Sequence, residues 1–191
     1  MSKQKERILN TASKLFSEFG FLGVSMEDIA KHLNITKAGL YYHFKSKKDL
    51  YLQVLERAFQ NLTRILKRQT SEEKSLKQEF SQLIRNYIHF SLKEKNLIQA
   101  ITLKSPDIDP SITNYIITLR KQINKKFQIH LKKIFKKKQG RGYNLEFVSS
   151  SLLGMMDGLI LEAALFNKKI NTKKESSRIL KFIKPILKVE S

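Results

Sequence analysis

The sequence predicts an all-α protein, a small three-helix unit followed by a larger helical one, on three observations. Apolar residues recur at helical spacing along almost the whole chain of 191 residues. Ser, Thr, Asp and Asn stand where such runs begin. Only three prolines and seven glycines interrupt it, and Lys, Leu and Ile are the commonest residues.

In chain order, Ile8, Leu9, Ala12, Leu15, Phe16 and Phe19 mark a helix over 3–19. Gly20 is expected to stop it as a left-handed C-cap. Ser25 with Asp28 makes a capping box ahead of Ile29, Ala30 and Leu33. That helix is short, ending before Asn34, a residue that tolerates positive φ. Thr36 caps a third helix with Leu40, Tyr41 and Phe44. Ser46 and Asp49 read as another capping box, opening a long helix through Leu50, Val54, Leu55, Phe59, Leu62, Ile65 and Leu66. Further helices are expected over 72–93, 95–104, 110–138, 144–167 and 172–188. Ser71, Asp109-Pro110, Gly140 and Gly142, and a Thr172/Glu175 box mark their bounds, and Pro185 ends or kinks the last.

Two short helices joined by "LNIT" have the helix-turn-helix pattern, in which the second enters the DNA major groove. Spacing alone leaves a second reading open, two short capped helices with no partner. "NITKAGLYYHFKSKKDL" favours the first, since its bunched aromatics and lysines suit neither a buried helix nor a solvated one.

Composition excludes several classes. With no cysteine, disulfides and thiolate metal sites are absent. The first residues are charged where a signal peptide needs an apolar run, and no stretch reaches eighteen apolar residues, so a cytoplasmic chain without membrane spans is expected. His32, His43, His89 and His130 show no ligand spacing with Asp or Glu, and no P-loop, nucleophile elbow or dinucleotide fingerprint occurs. Neither an enzyme, a cofactor nor a metal is therefore expected. The net charge is +20, yet residues 1–50 hold nine basic residues against five acidic, and the remainder 28 against 12. Most of the charge reads as a lysine-rich solvated surface. The acid-free stretch 110–145 illustrates it, with Arg120, Lys121, Lys125, Lys132 and Lys133 opposite Ile123, Phe127 and Leu131; the same face would also attract an acidic ligand or further DNA. Its basic amphipathic segment 119–138 would also suit a membrane surface, but capped helices on either side favour a folded bundle.

The first fifty residues resemble the DNA-binding domain of the TetR family of bacterial regulators. The resemblance runs through Ala12, Leu15, Phe16, Gly20, Ser25, Asp28, Ile29, Ala30, Ile35, Leu40, Tyr41, Phe44, Lys47 and Leu50. It departs at Asn34, where members more often carry glycine. It implies a helix-turn-helix DNA-binding domain over 1–50 and an effector-binding and dimerisation domain over 51–191. Thr36, Lys37, Ala38 and Gly39 are then expected at base edges, with Tyr41, Tyr42, His43 and Lys47 on phosphates and sugars. Ser25 completes the DNA-binding set. Leu40, Phe44 and part of Tyr41 also fit a plain core, and Tyr42 also fits a cover for a neighbouring helix.

Beyond residue 50 the resemblance implies an effector pocket, for which Phe59, Leu62, Leu66, Phe80, Ile84, Tyr87, Ile101, Tyr115, Ile116 and Leu119 are candidates, as they are for an ordinary core. It implies dimerisation through the last two helices. Gly154 and Gly158 would let a partner helix approach, with Leu153, Leu161 and Leu165 around them, though an ordinary buried helix would carry the same residues. The whole reads as a homodimeric repressor, binding a palindromic operator in double-stranded DNA and released by a small, largely apolar effector. The alternative is a basic helical protein that coats DNA nonspecifically, without an effector.

Overall fold

The computed structural model describes residues 2–67, 75–94, 109–136 and 144–187. Among them every regular element is a helix: α1 (Lys3–Phe19), α2 (Met26–Leu33), α3 (Lys37–His43), α4 (Lys47–Lys67), α5 (Leu76–Lys93), α6 (Pro110–Lys136), α7 (Leu145–Leu165) and α8 (Thr172–Leu187). The helix expected at 95–104, and the bounds at Ser71, Gly140 and Gly142, lie outside the described residues.

The helix ends follow from their side chains. The Ser25–Asp28 capping box is formed, and Asn34 closes α2 in the left-handed region at φ 55°, ψ 46°. Thr36 Oγ1 accepts the Gly39 N–H at 3.1 Å. Asp109 caps α6 ahead of Pro110, its Oδ1 accepting the Ser111 N–H at 2.8 Å. Three ends differ from expectation. Gly20 has positive φ (74°) but an extended ψ (174°), so it turns the chain out of α1 rather than capping it in the left-handed helical well; glycine alone adopts that conformation readily. Only half of the Ser46–Asp49 box forms: Ser46 Oγ accepts the Asp49 N–H at 3.0 Å, but the Asp49 carboxylate accepts the N–H of Lys45, not of Ser46. At α8 the cap is Asn171, whose Oδ1 accepts the Lys174 N–H at 3.0 Å. Thr172 is already helical there, and the Glu175 carboxylate pairs with Arg178. Pro185 does not end α8, which runs to Leu187 within the expected 172–188.

The chain divides into two compact units, Met1–Asn61 with Asn96–Ile117, and Leu62–Lys95 with Thr118–Ser191. In unit one, α1 packs on α2 and α2 on α3. Ile8, Ala12, Phe16, Ile29, Leu40, Phe44 and Leu50 fill its core, and Tyr51 meets Phe16 edge-on at 5.0 Å. The start of α6 is tied to α4 by Lys48 on Asp109 at 3.0 Å and by the Tyr115 hydroxyl donating to Glu56. In unit two, α5 packs against α7 and α8, with Phe80, Leu83, Ile84, Tyr87, Phe127, Leu153 and Met156 buried. These apolar faces are what hold helices of such length, since propensity alone leaves isolated helices marginal.

Candidate nucleic-acid interface

The turn between α2 and α3 is held by its backbone. Asn34 N–H donates to the Lys31 carbonyl and Ile35 N–H to Ala30, each at 3.1 Å. Leu40 and Phe44, both essentially without exposure, root the seven-residue α3 in the core. A helix this short has no stability of its own, so its orientation is set by these two anchors and the Thr36 cap. Gly39 belongs to that cap, because a Cβ there would come within 3.3 Å of Thr36 Oγ1.

What α3 leaves uncovered is the candidate reading surface. Thr36, Lys37 and Ala38 are exposed, while Gly39 and His43 are half-buried. Tyr41 is 45% exposed and Tyr42 85%. Tyr42 therefore covers no neighbouring helix; its ring meets His43 edge-on at 5.0 Å. Together these supply an ammonium, phenol hydroxyls and an imidazole, donors suited to phosphate oxygens and base edges. Ser25 differs from them. Its hydroxyl donates to Asp28 Oδ2 at 2.6 Å and accepts the Asp28 N–H at 3.1 Å, so it is engaged in capping α2. Those side-chain and backbone bonds from Ser25 hold the Asp28 carboxyl below the usual range.

Lys47, the first residue of α4, lies with Nζ 4.5 Å from the centre of the Phe21 ring. Partial burial lowers its pKa, and Asp28 acts in the opposite sense. Its ammonium is thus poorly neutralised by the protein, at a helix start where free N–H groups already favour an anion. Phe21 as its seat was not foreseen, for nothing in periodicity joins residues 21 and 47.

The candidate pocket residues fall in both units. Phe59 and Tyr115 are half-buried and Ile116 buried in unit one; Leu62, Leu66, Phe80, Ile84, Tyr87 and Leu119 are buried in unit two. Ile101 lies outside the described residues. Of the seam residues, Gly154, Gly158 and Leu165 are exposed and Leu161 is half-buried. Leu153 is fully buried. It sits about 100° around α7 from Gly154, so its side chain belongs to the core of unit two and not to that strip. Phe147, Phe166 and Phe182, unremarked in the sequence, are 70%, 65% and 65% exposed. Arg120 also departs from expectation: it is no member of a solvated face but an ion-pair partner of Asp157 at 2.6 Å.

Residues 8–54 match the family model of bacterial regulatory proteins, tetR family. The negative transcriptional regulator IcaR of the icaADBC biofilm operon of Staphylococcus aureus is 48% identical over 62 residues, 32% of this chain and 33% of IcaR. The match thus spans about a third of the length of that curated relative. Two solved structures extend the likeness in fold. The fatty acid degradation regulator FadR of Bacillus halodurans has a TM-score of 0.82 at 12% identity, over 96% of this chain and 95% of that one. FadR of Bacillus subtilis, solved in complex with stearoyl-CoA, has a TM-score of 0.78 at 17% identity, over 93% and 96%. Residues 8–54 thus carry the sequence pattern of the tetR-family regulators, and the chain as a whole shares the fold of the two FadR structures.

Proposed function

We propose that the chain is a cytoplasmic, homodimeric repressor, with residues 1–50 reading a palindromic operator and residues 51–191 dimerising and answering a small, largely apolar effector. One observation carries the DNA-reading part. The α2–turn–α3 unit is anchored by Leu40 and Phe44 while Lys37, Tyr41 and Tyr42 stand uncovered. A module built for packing alone would bury those rings. Negative regulation is supported by the likeness to IcaR over the reading helices, and an apolar effector by the likeness in fold to a regulator that holds stearoyl-CoA.

Dimerisation through α7 and α8 is supported by a strip that the chain leaves open. Phe147, Gly154, Gly158 and Leu165 recur on one side of α7, and Phe182 is exposed on α8. The two glycines bring no Cβ near anything else, which suits close approach by a second copy. Two-fold symmetry would then set the two α3 helices about one helical turn of DNA apart, or a small multiple of it.

The test is selection of bound fragments from the protein's own genome, followed by footprinting. A protected, roughly two-fold symmetric site is expected. Equal affinity for selected and random duplex would replace this reading with nonspecific DNA coating.

A further inference from the structure

Within unit two, three helices each send a polar group to one buried point. Asp157, on α7, is fully buried. Its Oδ1 accepts the Tyr87 hydroxyl from α5 at 2.7 Å, and its Oδ2 lies 2.6 Å from Arg120 Nη1 of α6. The same Nη1 donates to the Tyr87 oxygen at 3.2 Å, closing a triangle. The Phe127 ring meets Tyr87 edge-on at 5.5 Å. One turn along α5 from Tyr87, the Ser91 hydroxyl is fully buried without a hydrogen-bond partner. Buried ion pairs are seldom kept for stability, because apolar residues of like volume often serve as well. A buried hydroxyl left unpaired asks for an explanation of its own.

The members are not equivalent. Both oxygens of Asp157 are engaged and its side chain is 1% exposed, whereas that of Arg120 is 27% exposed. A newcomer can therefore reach the cation and not the anion. An amine would have to strip Asp157 of both partners; a carboxylate needs only to take its place on the guanidinium, whose fork fits it.

Resting on the effector-responsive reading above, we propose that Arg120, Tyr87, Asp157 and Ser91 receive the head group of the effector, and that this effector is a carboxylic acid with an apolar tail. Two carboxylates against one guanidinium in a buried site do not both stay ionised. One proton from solvent accompanies the ligand carboxylate and passes to Asp157, which keeps its place as a neutral acid while Arg120 stays cationic. Arg120 from α6 and Tyr87 from α5 are the groups that act on Asp157. Burial already raises its pKa against the pull of Arg120, so the proton is not hard to add. Acid affinity then falls about tenfold per pH unit wherever Asp157 is ionised in the free protein and neutral in the complex.

Four probes distinguish the possibilities on the unaltered full chain: dodecanoate, dodecanol, dodecylamine and dodecanoyl-CoA. Each is titrated calorimetrically at pH 6, 7 and 8 below its micellar concentration, with operator release followed in parallel. Dodecanoate should bind tightest, about tenfold or more above dodecanol, the scale of one charge-assisted hydrogen bond, and should weaken with rising pH. Arg120→Gln should lose that advantage while keeping dodecanol binding. Asp157→Asn, with its helix content checked first, should keep dodecanoate binding and flatten its pH profile. Dodecanol or dodecylamine binding as well as the acid, tight binding by dodecanoyl-CoA alone, or no binding by any probe would overturn the assignment. Operator release by any probe would still uphold an effector. Tight dodecanoate binding without release would uphold the site and remove its regulatory role.

Discussion

Replacing Lys47 by Met removes one charge and little else. In the free protein the ammonium sits 4.5 Å from the Phe21 ring centre, a cation–π contact worth about 0.5–1 kcal/mol where partly exposed. A methionine of similar length still covers the ring, so stability should fall by less than about 1 kcal/mol. On DNA the effect is larger and has a particular form. A dimer presents Lys47 twice, and each phosphate contact contributes about 0.9 to the slope of log affinity against log salt. The variant's slope should therefore be shallower by about two units. Between about 50 and 200 mM salt, a fourfold change, the gap between the two proteins should narrow by roughly tenfold.

Fluorescence anisotropy on operator and scrambled duplex over that range would measure it. Phosphates carry no base identity, so both duplexes should lose affinity alike. Phe21→Leu serves as the control: it removes the seat but keeps the charge, and its slope should equal that of the original chain. Parallel salt lines for Lys47→Met and the original would refute the phosphate contact. A loss confined to the operator would reassign Lys47 to base reading.

Three further outcomes follow from single features. Asn34 holds φ 55° and ψ 46°, so Asn34→Ala should cost about 1 kcal/mol in urea unfolding, while Asn34→Gly should be neutral or better. Asp28 has a depressed pKa owing to its bonds with Ser25. Its contribution is complete above the unfolded value of about 3.9 and disappears as pH falls through the lower folded value, so the stability margin over Asp28→Asn should close only in that acid range. A Cβ at Gly158 meets nothing within 4 Å, so Gly158→Glu should leave helix content intact yet sediment as a monomer; a persisting dimer would move the seam elsewhere.

Local chemistry made the first fifty residues legible. Capping pairs, the left-handed Asn34 and the two anchors of α3 all involve neighbours within a few positions, which a sequence displays directly. Capping pairs are hard to assign where a neighbour offers the same chemistry one residue away: the Asp49 carboxylate takes the Lys45 N–H instead of that of Ser46, and Asn171 instead of Thr172 caps α8. Contacts across the chain were illegible for the opposite reason. Lys47 on Phe21 and Lys48 on Asp109 need knowledge of which helices meet. Asp157 carries a usable signal, the one acid inside "LLGMMDGLIL", because such an acid must find a partner if the helix is buried. Its partner Arg120 was hidden among lysines, and charge spacing could not tell the paired base from the solvated ones.

The division of charge bears on how such a protein finds its site. The stretches of unit one hold 11 basic residues against eight acidic, a balance of +3, and those of unit two 26 against nine, or +17. Nonspecific affinity scales with the phosphates neutralised, so a protein that coats DNA would do so through the lysines of unit two, and losing Lys47 would scarcely alter its salt slope. If residues 1–50 read an operator as proposed, discrimination between sites rests on the base edges that α3 would reach, since phosphate contacts carry no sequence information. The excess charge then acts at a distance, drawing polyanions in without selecting among them. The same field raises the local concentration of small anions around unit two. An acid effector would gain from it before any contact with Arg120 is made, whereas an amine would be held off.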